Sequence, residues 1–166
     1  MMLYQRIVFS VLAISLGSCG YQPLYGTSAS GSHVSSQLAS VTVEQQNTRT
    51  GQLIRNEILS SIGNQNTAGA TRYSLKFTTS ADDADTARAF DSDVTRKSYQ
   101  LSVKYLLSDT AKGKTVHKGS TFSHVSYDKT DAPFSDYQAL ISAKERAAKE
   151  IGNDIRTRLA AYFASK

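Results

Sequence analysis

The chain predicts an α+β fold, a two-layer sandwich with two helices packed on one face of a four-stranded mixed sheet, in the order β-α-β-β-β-α. Three observations predict it. Two segments repeat apolar residues at three- and four-residue spacings, the period of a helix. Four segments repeat them at every second position, the period of a half-buried strand. In each strand only one side is apolar, so both helices should cover the same sheet face and leave a polar face open.

Val41 and Val43 alternate with polar residues across 38–45, a short first strand. Leu53, Ile54, Ile58, Leu59 and Ile62 then share one side of a helix over 48–62, which Gly63 should stop. A strand, a helix and another strand normally make a parallel crossover. Tyr73, Leu75 and Phe77 lie on one side of the second strand, with Arg72, Ser74 and Lys76 on the other. Residues 80–94 are acidic and alanine-rich, a loop or strand extension.

Tyr99, Leu101, Val103, Tyr105 and Leu107 define the third strand over 98–107. The turn at 109–114 makes the fourth strand, 115–127, its antiparallel partner. Val116 and Phe122 share one phase there, whereas Val125 and Tyr127 share the other, which predicts a bulge between 122 and 125. The last helix should begin with Pro133 just ahead of a Ser135–Gln138 capping box. Its stripe is Tyr137, Leu140, Ile141, Ala148, Ile151, Ile155, Leu159 and Tyr162. No internal repeat is present.

The first 19 residues have the layout of a bacterial secretory signal: Arg6, an apolar run over 7–16, then small residues leading to Cys19. The run is half of the roughly 20 apolar residues that a spanning helix needs. Leu16-Gly17-Ser18-Cys19 is similar to a lipobox. There the cysteine thiol becomes a thioether with diacylglycerol, the chain is cut before it, and the new amine is acylated with palmitate. A plain secretory signal with an incidental cysteine is the alternative. The expected organisation is a signal peptide over 1–18, a lipidated Ser/Gly-rich tether over 19–37 and one domain over 38–166. Two or more acyl chains anchor a protein stably where one does not. Cys19 is the only cysteine, so the domain has no thiol for a disulfide or a thiolate metal site.

The formal charge is +5, or +4 without residues 1–18, whose one charged side chain is Arg6. A mild basic excess suits anionic partners. For an exported lipoprotein the expected partner is anionic lipid or lipopolysaccharide, not nucleic acid.

Gly113-Lys114-Thr115 ends like a phosphate-binding loop, but Ser108 stands where the first glycine belongs and a strand follows. His33, His117 and His124 do not form a metal-ligand pattern, because residues seven apart in a regular strand face opposite ways. Asp82, Asp83, Asp85, Asp91 and Asp93 lack the spacing and central glycine of a calcium loop. Neither a nucleophile elbow nor an HExxH motif is present. The sequence thus supports no catalytic residue, metal site or cofactor, and a non-enzymatic protein is expected. Arg88, Arg96, Lys97, Lys104 and Lys118 lie in or beside the middle strands and could meet lipid phosphates if grouped on one rim.

Cys19-Gly20-Tyr21-Gln22-Pro23-Leu24-Tyr25-Gly26 resembles the opening of the lipopolysaccharide-assembly lipoproteins, the LptE family, in its alphaproteobacterial form. The resemblance continues through Tyr99-Gln100-Leu101, the Tyr127-Asp128 strand end and the alanine-rich last helix. It implies two helices on a four-stranded mixed sheet and no catalytic activity. It also implies a tether to the periplasmic side of the outer membrane, with which Gly20, in place of aspartate, agrees. The implied role is a plug and assembly partner of the LptD β-barrel that helps lipopolysaccharide reach the outer leaflet. Arg88, Arg96 and Lys97 occupy the region that binds lipopolysaccharide in relatives, and Lys118 is a further candidate. The competing expectation is a free-standing outer-membrane lipoprotein that binds lipid or an envelope polymer.

Overall fold

The computed structural model describes residues 29–63, 71–88, 94–130 and 132–166. The signal segment, Cys19 and the aromatic stretch 21–26 lie outside them. The elements are α1 (Ala29–Ala39), β1 (Val41–Val43), α2 (Arg49–Ser61), β2 (Tyr73–Arg88), β3 (Val94–Asp109), β4 (Lys114–Asp128) and α3 (Pro133–Ala164). The sheet order is β1-β2-β3-β4, with β1 parallel to β2 and the other two pairs antiparallel. This is the predicted α+β sandwich with a mixed sheet, to which α1 adds a third helix.

Helix α1 takes up residues 29–37, where the Ser/Gly-rich composition suggests tether, and it contains Leu38, expected in the first strand. Val34 and Leu38 are both buried. They stand four apart, hence on one helical face, and α1 packs on α3. Two apolar residues among serines are too few for a visible helical period, so the helix owes its place to packing.

Helix α2 behaves as its sequence predicts. Thr48 is the N-cap, its hydroxyl accepting the Gly51 N–H at 3.1 Å. Ile62 closes the helix and Gly63 follows at φ +92°, a conformation glycine adopts without strain. Helix α3 begins earlier than expected. Pro133 is inside its first turn, where a missing N–H costs nothing, and the Ser135–Gln138 box caps no helix end. The Asp136 N–H bonds to the Ala132 carbonyl instead.

Strands β2 and β3 pair from Tyr73↔Asp109 to Arg88↔Val94, so the acidic segment extends the strand. Asp109 is 2 % exposed and accepts the Ala111 and Lys112 N–H groups, which shapes the turn into β4. The predicted bulge between 122 and 125 is not there. The ladder slips once, between Leu107 and Ser108, and leaves Val116 as the extra residue. Phe122 therefore follows the phase of its neighbours onto the open face, 70 % exposed.

The core lies between sheet and helices. Tyr73, Leu75, Leu101, Val103, Tyr105 and Leu107 meet Ile54, Ile58, Ala147, Ile151, Ile155, Leu159 and Phe163. The α3 stripe is fully buried only from Ala143 onward, and Leu140 packs part-buried against the core; Tyr137 is 61 % exposed, because α3 runs about 48 Å and overreaches α2. Phe163, not Tyr162, fills the core at the far end, 5.2 Å from the Tyr73 ring centre. No helix among the described residues is long and apolar enough to cross a membrane.

Candidate functional site

The open face follows from strand register. Side chains directly opposite in an antiparallel pair share a face. Lys76 stands opposite Leu106, and Leu106 opposite Lys118. Lys104 lies between Thr78 and Ser120, and Phe122 lies opposite Ser102. All belong to the face that no helix covers. The small side chains Thr78 and Ser120 beside Lys76, Lys104, Lys118 and Leu106 leave a shallow depression of about 550 Å³. Leu106 is 43 % exposed within it. Lys76 approaches Glu44 at 3.8 Å, while Lys104 and Lys118 make no ion pair among the described residues. Beyond this trio, Phe122 and His124 meet edge to face, ring centres 5.7 Å apart.

The basic residues singled out from sequence do not gather on one rim. Arg96 is on the open face but bonds Asp128, Nε to Oδ1 at 3.1 Å. Lys97, one residue on, is opposite Tyr127 and points to the helix side. Arg88 ends β2, next to the Val94 pairing, at the same end of the sheet. Lys118 is opposite Leu106, about 33 Å of strand away from Arg96. Lys104 and Lys118 are thus brought together, and Lys76, Leu106 and Phe122 join them. Their convergence depends on cross-strand register, which the alternation of single strands does not reveal.

His117 and His124 face opposite sides, opposite Leu107 and Gln100 respectively, and the bulge at Val116 does not realign them. Among the described residues, no three His, Cys, Asp or Glu side chains gather as a metal site. His117 belongs instead to an aromatic corner on the helix side. Its ring stacks on Tyr162 at 4.8 Å, and Nε2 is 3.5 Å from the Tyr105 hydroxyl. Burial pushes the Tyr105 hydroxyl above its ordinary pKa. A hydrogen bond to Tyr162 raises the Lys166 ammonium, which also sits over the Tyr73 and Tyr162 rings.

A second groove opens where α3 overreaches α2. Leu53, Leu140, Ile141 and Tyr137 line it, with Arg49 and Lys144 at its edge, in about 400 Å³.

No protein-family model and no curated protein matches the chain. Solved structures do. A candidate lipoprotein from Caulobacter crescentus CB15 is 30 % identical, with 81 % of this chain and 98 % of that one covered, at a TM-score of 0.67. The chain belongs to the family of that protein. The fold of the Caulobacter family extends to more distant structures. Rare lipoprotein B from Shewanella oneidensis is 12 % identical over 74 % of this chain and 92 % of its own, with a TM-score of 0.56. A minor lipoprotein from Acinetobacter baumannii is 11 % identical over 74 % and 89 %, at 0.54. At those identities the likeness is one of fold alone.

Proposed function

We propose that this chain is a lipid-anchored outer-membrane lipoprotein of the LptE family, held on the periplasmic side through Cys19. It acts without catalysis in lipopolysaccharide transport, as plug and assembly partner of the LptD β-barrel. The lipobox-like Leu16-Gly17-Ser18-Cys19, the 20–26 motif and kinship with the Caulobacter candidate lipoprotein support the lipoprotein part.

The observation that carries the partner is the one-sided sheet. Helices cover one face; the other is a long, mainly polar surface of Ser, Thr, Lys and Gln side chains, with Leu106 and Phe122 exposed among them. Such a surface suits the interior of a large barrel, whose inward-facing residues are polar. Crosslinking in intact membranes, followed by capture of the Cys19-lipidated protein, should recover a large β-barrel. Recovery of none would overturn the reading.

A free-standing envelope binder is the second reading. The lysine-rimmed depression favours it, because it offers a site on a single chain. That protein would be captured alone and monomeric.

A further inference from the structure

We propose that the open sheet face holds a phosphorylated sugar, with Lys104 and Lys118 on the phosphate and Phe122 under the sugar ring. The proposal rests on the functional reading in one respect, that envelope glycolipids or glycans reach this face. It adds the part of the ligand recognised and the residues that recognise it.

The charge comes first. Between Asp82 and Asp128 no acidic side chain stands on the open face of the β2–β4 block. Lys104 and Lys118 are there without an ion-pair partner among the described residues, two positions apart in cross-strand register. An ammonium pair at that spacing can donate to separate oxygens of one phosphate, and such charge-assisted bonds are about twice as strong as neutral ones. Lys76 lines the same depression but already faces Glu44, so it serves as the weaker third donor.

The shape then selects among phosphates. An acyl chain needs contiguous apolar surface, and Leu106 is the one large apolar side chain exposed in the depression, since the Phe77 and Tyr105 side chains that also border it are buried on the helix side. Phe122 instead presents a flat ring, 70 % exposed, one diagonal step from Lys104. His124 meets it edge to face and steadies it. The negative face of an aromatic ring attracts the partly positive C–H groups on one side of a pyranose. A large aromatic ring left on a polar surface loses free energy by hydration, and a stacked sugar would cover it.

Saturation-transfer NMR on the full-length protein tests this with three separate probes: glucose 1-phosphate, glucose and inorganic phosphate. Glucose 1-phosphate should bind most tightly, with the strongest transfer to its ring protons. Lys104→Ser and Lys118→Ser should each weaken it roughly tenfold, the loss of one charge-assisted bond. Phe122→Ser should abolish the preference for glucose 1-phosphate over inorganic phosphate. These positions are exposed, and an unchanged circular dichroism spectrum verifies each fold. The single controls Lys129→Ser and Lys149→Ser each remove one charge elsewhere, as each test variant does, and should change nothing. Absence of binding, an equal loss in either control, or indifference to Phe122→Ser would overturn the proposal. The barrel capture is a separate readout: a barrel recovered with a protein blind to glucose 1-phosphate sinks this site and leaves the function standing. Sugar phosphate bound by a protein that captures no barrel does the reverse.

Discussion

The two faces of the sheet are built from the same strands under different rules. On the helix side Leu75, Leu101, Val103, Tyr105 and Leu107 are almost completely buried, and each is fixed by the volume its neighbours leave. On the open side Lys76, Lys104, Leu106, Lys118 and Phe122 alternate with them and touch no helix. The first face determines whether the chain folds, and the second is free to serve a ligand or partner. Substitutions on the two faces should therefore separate stability from binding.

The largest separation is expected from one apolar residue on each side. Leu101→Ala or Ile155→Ala should cost about 2–5 kcal/mol in urea unfolding, through lost burial and the cavity left behind. Leu106→Ala, on the same strand as Leu101 but facing out, should cost under about 0.5 kcal/mol. A comparable loss at Leu106 would mean that the open face is part of the core.

A methyl group should be felt wherever a glycine lets a neighbour's side chain lie against its backbone. A Cβ on Gly152 would lie 2.7 Å from Glu57 Cγ and 2.8 Å from its Cβ, so α2 and α3 approach there because nothing stands in the way. Gly152→Ala should cost about 1–3 kcal/mol. Gly119 is the sheet counterpart, with the Tyr105 ring lying over the site where its Cβ would be. Gly119→Ala should cost about as much, by displacing that ring. If both variants are neutral in thermal unfolding, the packing between these layers is looser than the distances indicate.

The helix face was largely legible in the sequence, for a physical reason. Burial imposes a period, so Tyr73, Leu75 and Phe77 or Ile54 and Ile58 announce their faces one strand or helix at a time. Even there, length misled. Tyr137 keeps the α3 period but lies at the end of α2, where it lines an open groove and stays 61 % exposed, and α1 is hidden because Val34 and Leu38 alone make no period. The open face imposes only polarity. Lysines 104 and 118 are visible in the sequence, yet their proximity comes from the β3–β4 pairing and the single slip at Val116. With the slip at Val116 and none between 122 and 125, Phe122 keeps the phase of Lys118, Ser120 and His124 and faces outward. Arg88, Arg96 and Lys97 look clustered along the chain, but Arg96 and Lys97 point to opposite faces, and all three lie far from Lys118.

The aromatic corner extends the comparison to alkaline pH. Tyr105 has its pKa raised above 10.0 by burial, so above that pH the unfolded chain loses the proton while the folded one keeps it. Its contribution is complete below pH 10.0 and is lost as pH rises through the folded value. Lys166, raised above 10.5 by its bond to Tyr162, acts in the same direction. Melting temperature should fall from about pH 10 upward, and Tyr105→Phe should flatten that fall. The same titration of an open-face variant such as Lys104→Ser should follow the wild type. A wild-type slope in Tyr105→Phe would show that the tyrosine does not couple ionisation to folding.

The smallest expected effect is the most useful check on the open face. Arg96 and Asp128 form a 3.1 Å pair, yet their side chains are 57 % and 72 % exposed. Water screens such a pair, and ordering two long side chains offsets much of the attraction, so exposed pairs contribute about 0–1 kcal/mol. A double-mutant cycle with Arg96→Ala and Asp128→Ala should give a coupling energy in that range, shrinking as salt is raised. The pair ties the start of β3 to the end of β4 at the edge of the polar face. A coupling near zero would leave register to the buried face alone. A coupling above about 1 kcal/mol, insensitive to salt, would mean that the open face is shielded from water at this end, and the division between a packed side and a solvent-facing side would fail there.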